Sequence, residues 1–238
     1  MIRRFIVKDS FDNVRSELVE IGRRIYERGY VAANDGNVSA RLNDEQVLIT
    51  PTGVSKGFMR PEDLIIVDMK GQLVEGKKKP SSETHMHVRI YADRPDVRSV
   101  CHAHPPYATG FAVAGIPLDK MVLPEFIIAL GMVPVVEYGE TGTEDLYGAI
   151  FKYIGDYDAF LLANHGALTV GSSPFGAYHK METLEHAATI QFIASQLGKV
   201  NVLNENQVKN LLAQREKWGV RKEVGLKRPK RISRGSRG

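Results

Sequence analysis

The sequence predicts a single α/β domain, an α/β/α layered fold with a mostly antiparallel central sheet flanked by helices. Three observations carry this expectation. The 238 residues, 43% apolar and 25% charged, have ordinary globular composition and are ample for one core. Short β-type segments outnumber what a simple strand–helix alternation would give, and several are joined as hairpins. Segments of helical period open the chain and recur between and after the strands.

Taken in order, Phe11, Val14, Leu18, Ile21 and Ile25 fall at helical spacing, with Gly29 as a stop. Two short strands, 38–41 and 47–50, follow around the polar turn Asn43-Asp44-Glu45, and Gly and Pro make 51–61 a loop. Strands at 65–67 and 73–74 flank Lys70-Gly71. Ser81 or Ser82 is expected to cap a helix that Arg94-Pro95 ends. A strand at 97–104 runs into a helix opened by Pro105-Pro106. Residues 123–130 read equally as helix or strand, and 133–137 as strand. Thr143 caps a helix stopped by Gly155. Strands at 158–164 and 167–170 flank His165-Gly166, Ser173-Pro174 starts a long helix to Gly198, and a last helix covers 205–218.

Composition excludes several function classes. No apolar run reaches the length of a membrane span, and Met1-Ile2-Arg3-Arg4-Phe5 lacks the apolar stretch of a signal peptide. Cys101 is the single cysteine, so no intrachain disulfide or cysteine-rich knuckle forms, and a cytoplasmic location is expected. The net charge of +4 belongs to residues 227–238, which carry six Lys or Arg and no acid. The body, 1–226, carries −2. A nucleic-acid partner would therefore rest on this tail, which is expected to be a disordered extension.

His102-Ala103-His104 sits at a predicted strand end, where residues two apart share a face. That is half a metal site, or else two half-buried structural histidines. His85-Met86-His87 falls on a helix, where residues two apart diverge by about 200° and cannot chelate one ion. His87 is expected on the helix face stacked on Glu83, and His85 toward solvent or packing. His179, Glu182 and His186 share one polar helix face with a structural or subunit-contact role. His165, at a strand end beside a turn, is the best-placed third ligand. Pro80-Ser81-Ser82-Glu83 is an anion site at a helix start, or an ordinary capped helix with an acid in its first turn. The turns Asp35-Gly36-Asn37-Val38-Ser39 and Thr50-Pro51-Thr52-Gly53 could add donors for a phosphate.

In this order, Gly36-Asn37-Val38-Ser39, Ile49-Thr50-Pro51-Thr52-Gly53, Pro80-Ser81-Ser82-Glu83, His102-Ala103-His104 and Asn164-His165-Gly166 resemble the zinc-dependent class II aldolase family, which includes L-fuculose-1-phosphate aldolase, L-ribulose-5-phosphate 4-epimerase and the adducin head domain. The resemblance covers about residues 10–220. It implies one Zn2+ on His102, His104 and His165, with Glu83 as fourth ligand at rest and as catalytic acid/base. Gly36, Asn37, Thr52, Gly53, Ser81 and Ser82 would form the substrate-phosphate site. The resemblance also implies a homotetramer with sites at subunit interfaces, the common assembly of the family's members. Ser-Ser-Glu, where the epimerase branch has Ser-Ser-Asp, implies aldol cleavage of a ketose 1-phosphate to dihydroxyacetone phosphate and a small aldehyde. An epimerase, a dehydratase and an adducin-like non-enzymatic domain are the alternatives. Glu125 is a secondary candidate, matching a catalytic glutamate of dehydratases with this fold, or else a helix N-terminal acid after Pro124. Asn34, at a position near the phosphate, Leu123 or a neighbour, and Trp218 depart from the fuculose-phosphate aldolase pattern, which leaves the identity of the aldehyde half open.

Overall fold

The computed structural model describes residues 2–140, 142–221 and 223–229, with side chains for all of these except 2–10 and 144–147. Strands β1 (Asn37–Arg41), β2 (Gln46–Ile49), β3 (Ile65–Asp68), β4 (Leu73–Glu75), β5 (Ser99–Ala103), β6 (Val135–Val136), β7 (Ala159–Leu162) and β8 (Gly166–Gly171) form one sheet, ordered β4-β3-β2-β1-β5-β8-β7-β6. Every neighbouring pair is antiparallel except β6 and β7. The helices are α1 (Ile2–Glu27), α2 (Thr84–Asp93), α3 (Pro106–Val113), α4 (Pro124–Ala129), α5 (Glu144–Phe151), α6 (Pro174–Leu197) and α7 (Glu205–Leu212).

The sheet is the middle of three layers because its strands are apolar on both faces. Successive side chains of a strand point to opposite sides. Cys101, Val38 and Leu161 thus join a core with Leu18 and Ile21 of α1 and Ala177 and Met181 of α6. Val100, Val47 and Phe160 join a second core with Met86 and Ile90 of α2 and Ile150 of α5. The same alternation sends Asn37, Ser39 and His102 to the α2 side. The predicted α/β/α layering is therefore observed.

Several boundaries differ from the sequence expectation. The residue before α2 is Glu83 and not a serine, and Ser81 Oγ accepts from Glu83 N at 3.3 Å in the turn that leads into the helix. The Glu83 side chain makes no capping bond, and Thr84 N donates to Ser81 O at 3.0 Å in the same turn. Residues 123–130 resolve as the helix α4, and the strand expected at 133–137 shrinks to two residues after Pro134, which has no N–H for a ladder. The last helix stops at Leu212, and Arg215–Trp218 form a 3-10 turn. Buried Arg215 donates there to Ile127 O at 2.8 Å and to Val224 O. Ser173 does cap α6, accepting from Gly176 N at 3.1 Å. At the start of the basic tail, Tyr157 Oη donates to Lys227 O at 2.6 Å and Lys227 pairs with Asp156. Residues 230–238 of that tail lie outside the described residues.

Gly36 enters β1 with φ +71°, and a Cβ there would meet Val31 Cγ1 at 2.7 Å and His102 O at 2.8 Å. This glycine is needed for the β1–β5 contact itself. Gly36→Ala should therefore lower stability by at least about 1–2 kcal/mol, the cost of the left-handed backbone alone, read as a lower urea midpoint.

Candidate metal centre

Strand β5 delivers His102 fully buried, and Ala103 ends the strand. His104, one residue on, is held where its backbone N donates to Tyr30 O at 2.8 Å. His165 lies in the tight turn between β7 and β8, after Asn164 at φ +55°. Gly166 follows because nothing larger fits: a Cβ there would lie 2.5 Å from His104 Cδ2 and 2.7 Å from Ala103 O. Strands β5 and β8 are neighbours, so the two segments converge. One ligand atom each from His102, His104 and His165 lies within 4.8 Å of the others.

The ring nitrogens can be assigned. His102 Nδ1 lies 2.9 Å from Ala167 O, an acceptor, so Nδ1 carries the hydrogen and Nε2 a lone pair. That lone pair faces His104 Nε2 at 3.2 Å and Glu83 Oε2 at 3.4 Å. Asp35 Oδ2 lies 3.6 Å from His104 Nδ1, behind the other side of that ring. Glu83 Oε1 is 3.1 Å from His165 Nε2, yet it is buried and accepts no hydrogen bond. Burial pushes His102 down to about 3 and His104 in the same direction, so both rings are neutral. Burial also opposes the charge on Glu83, but the hydrogen bond that Asn37 Nδ2 donates to Oε2 favours it, and the carboxyl is held well below its usual range.

Neutral imidazole nitrogens and an ionised, under-bonded carboxylate oxygen thus point into one volume. Such a donor set repels itself unless a cation lies within it, and nitrogen with carboxylate oxygen suits a borderline divalent ion. The residues fit the metal that the sequence resemblance implied.

Asn37, at the start of β1, donates from Nδ2 to Glu83 Oε2 at 2.5 Å. Thr52 N donates to Lys79 O at 3.1 Å, which brings the 50–53 turn beside the segment carrying Ser81 and Ser82. A Cβ on Gly53 would meet nothing within 4 Å, so that turn borders open space. Glu125 does not join the cluster within one chain. It lines a cavity of about 860 Å³ with Val97, Val170 and Gly171, at the opposite ends of β5 and β8. His85 is exposed, and His179, Glu182 and His186 do lie along the outer side of α6, as expected.

Two residues escaped the sequence reading. His87 does not stack on Glu83. It is fully buried, bonded to Asn37 through Nε2 and to Ser39 Oγ through Nδ1 at 2.6 Å. Lys56 is 1% exposed, and its ammonium donates to Asn34 O and Val54 O, both at 3.0 Å. It thereby ties the loop before β1 to the loop after β2. A lysine flanked by Ser55 and Gly57 in a turn-rich segment looks like solvated loop, and only the carbonyls it meets reveal otherwise.

Residues 16–192 match the family model described as the class II aldolase and adducin N-terminal domain. An L-fuculose phosphate aldolase of Methanococcus maripaludis is 36% identical over 76% of this chain and 98% of its own. A 3-oxo-tetronate 4-phosphate decarboxylase of Haemophilus influenzae is 34% identical over 82% of this chain and 93% of its own. A solved L-fuculose 1-phosphate aldolase superposes with a TM-score of 0.77 at 31% identity, covering 87% of this chain and 96% of that one.

Removing one ring from the cluster leaves too few donors, so His165→Ala should drop bound divalent metal well below one ion per chain by atomic absorption. A second expectation concerns Lys56, which burial pushes down to about 8 against the opposing charges of Asp35 and Glu83. Between that value and the ordinary lysine value, the unfolded chain holds a proton that the folded chain has released. Stability relative to Lys56→Met should therefore be flat below about pH 8 and rise above it, by up to about 1.4 kcal/mol per pH unit, in urea titrations.

Proposed function

Since the chain belongs to the class II aldolase and adducin N-terminal domain family and is an enzyme of it, a lyase, we propose that it cleaves a ketose 1-phosphate of the L-fuculose-1-phosphate kind to dihydroxyacetone phosphate and a small aldehyde. The observation that carries this reading is the Glu83 carboxylate, buried against three histidines, with Oε2 held by Asn37 and Oε1 without a donor. A zinc ion on His102, His104 and His165, with Glu83 as fourth ligand at rest, would be a Lewis acid that polarises the substrate carbonyl and neutralises charge developing on its oxygen.

Ser81, Ser82, Asn37, Thr52 and Gly53 would hold the substrate phosphate through hydroxyl, amide and backbone donors, which places the C3 carbon beside Glu83. Gly36 would let the backbone approach the phosphate closely, and it also lets β1 approach β5. The C4 hydroxyl would give its proton to solvent water as the C3–C4 bond breaks, so that C4 leaves as the aldehyde and the electron pair stays on C3 as an enediolate. Glu83 would take up a proton from that water and pass it to C3, which returns the carboxylate to its ionised form and releases dihydroxyacetone phosphate. In synthesis Glu83 removes that same proton. The reading includes a cytoplasmic homotetramer. Exposed Phe192, Ile193 and Leu197 on α6 favour burial against further copies.

The decarboxylase relative supports a second reading. A 3-oxo-tetronate 4-phosphate would lose carbon dioxide from C1 and leave its electron pair on C2, which is the same enediolate, and Glu83 would protonate it identically. The two readings part at the other half of the substrate. Carbon–carbon bond formation from dihydroxyacetone phosphate and a panel of aldehydes supports the aldolase, and carbon dioxide release from the 3-oxo acid the decarboxylase.

Glu83→Gln keeps the size of the side chain but cannot move a proton. Turnover and exchange of the dihydroxyacetone phosphate C3 proton with solvent deuterium should fall together, by about 10²–10⁴-fold, with substrate affinity little changed. Exchange at the wild-type rate would remove Glu83 as the base.

A further inference from the structure

Asn37 and Ser39 are two apart on β1, and Glu83, His87 and Tyr91 are four apart along α2 and its leading residue. The two rows interleave into one buried chain of hydrogen bonds. Tyr91 Oη lies 2.7 Å from Ser39 Oγ, Ser39 Oγ 2.6 Å from His87 Nδ1, His87 Nε2 bonds Asn37 Oδ1, and Asn37 Nδ2 lies 2.5 Å from Glu83 Oε2. Asn37, Ser39, His87 and Tyr91 are each at most 3% exposed, so water does not substitute for any of these partners.

The direction of every bond follows from its last member. An ionised carboxylate only accepts, so Asn37 must turn its NH2 toward Glu83 and its Oδ1 toward His87. His87 Nε2 must then carry a hydrogen. With the ring neutral, Nδ1 accepts from the Ser39 hydroxyl, and Ser39 accepts from Tyr91. All the donors in the chain therefore point toward Glu83. A chain of this kind has two self-consistent directions, and the asparagine flip decides which one reaches the carboxylate as a donor. Reversed, it would set a carbonyl oxygen 2.5 Å from a carboxylate oxygen, a repulsive contact.

We infer that His87 is a positioning residue: by donating from Nε2 to Asn37 Oδ1 it locks the Asn37 amide in the one flip that donates to Glu83, and so fixes how the Glu83 carboxylate is presented. Its value for catalysis rests on the reading of Glu83 as acid/base. Asn37 thereby has two tasks, since one amide hydrogen is committed to Glu83 and the other is left for substrate. Ser39 holds the far side of the His87 ring. Arg41, two further along β1, donates to Tyr91 O and lies over the Tyr91 ring with its guanidinium carbon 5.2 Å from the centroid, which closes the outer end of the chain.

The test has two arms. In histidine-labelled wild-type protein, with and without zinc, long-range ¹H–¹⁵N correlation should show His87 Nε2 protonated between about pH 6 and 8. An unprotonated Nε2 would turn Asn37 around and overturn the inference, whatever the enzyme's activity. In the second arm, His87→Leu removes the donor, whereas His87→Gln can place an amide N–H where Nε2 stood. His87→Leu should slow C3-proton exchange of dihydroxyacetone phosphate by about 10–100-fold, with KM and metal content nearly unchanged, and His87→Gln should recover most of the rate. Wild-type exchange in His87→Leu, or a glutamine variant no faster than the leucine variant when both are folded and metal-loaded, would overturn it. If His87→Leu does not fold, the nitrogen assignment and the glutamine rate decide. If wild-type enzyme exchanges no proton, the proposed function fails, and the nitrogen assignment still decides the role of His87.

Discussion

Two residues along a strand advance about 6.6 Å, and four along a helix about 6 Å. That near-match lets β1 and α2 run side by side with every second residue of one meeting every fourth of the other. Asn37 and Ser39 can therefore engage Glu83, His87 and Tyr91 in step, without a bent helix or a bulged strand. The rest of the centre depends on this registration. β1 is paired to β5 with Asn37 opposite His102, so the same strand that sets the carboxylate also lies beside the imidazoles. A one-residue slip of β1 would turn Asn37 and Ser39 into the apolar core under α1 and α6, and Val38 toward Glu83.

Strand parity also separates reactive from inert groups. Cys101 and His102 are adjacent and equally buried, yet they face different layers. Burial among apolar side chains pushes the Cys101 thiol up to about 12, so it behaves as a small hydrophobe. His102 meets a carbonyl on one nitrogen and the centre on the other, which makes it a directed lone pair. Low dielectric serves both outcomes. It keeps His102 and His104 neutral, and it strengthens the hydrogen bond that favours the charge on Glu83.

The layered fold was legible in the sequence because both faces of the sheet are covered, which writes continuous apolar runs such as Phe160-Leu161-Leu162 between clear turn signals. The convergence of His102, His104 and His165 was legible because strand period and turn position are local properties. The start of α2 was misread because Ser81 and Ser82 have capping chemistry. The helix starts instead at Thr84, after Glu83, whose side chain turns to Asn37 on β1 and not to the helix start. His87 was misread for a related reason. The i, i+4 rule pairs it with Glu83 on an isolated helix, whereas a strand fills that face and inserts Asn37 between them. Lys56 could not be read at all, since its partners are backbone carbonyls brought together by two loops.

The centre draws its groups from segments that meet only through long-range pairing: His102 lies opposite Leu168 on β8 and opposite Asn37 on β1. No short stretch of this chain holds the full donor set in the way a hairpin holds a zinc-finger ion. The expensive loop closures of β1, β5 and β8 must come first, and an ion can be captured only afterwards. Ligation there would therefore add its free energy to the finished native state and little to the unfolded chain or the route between them. A bound ion would lengthen the life of the assembled fold, while the speed of folding is left to the sheet.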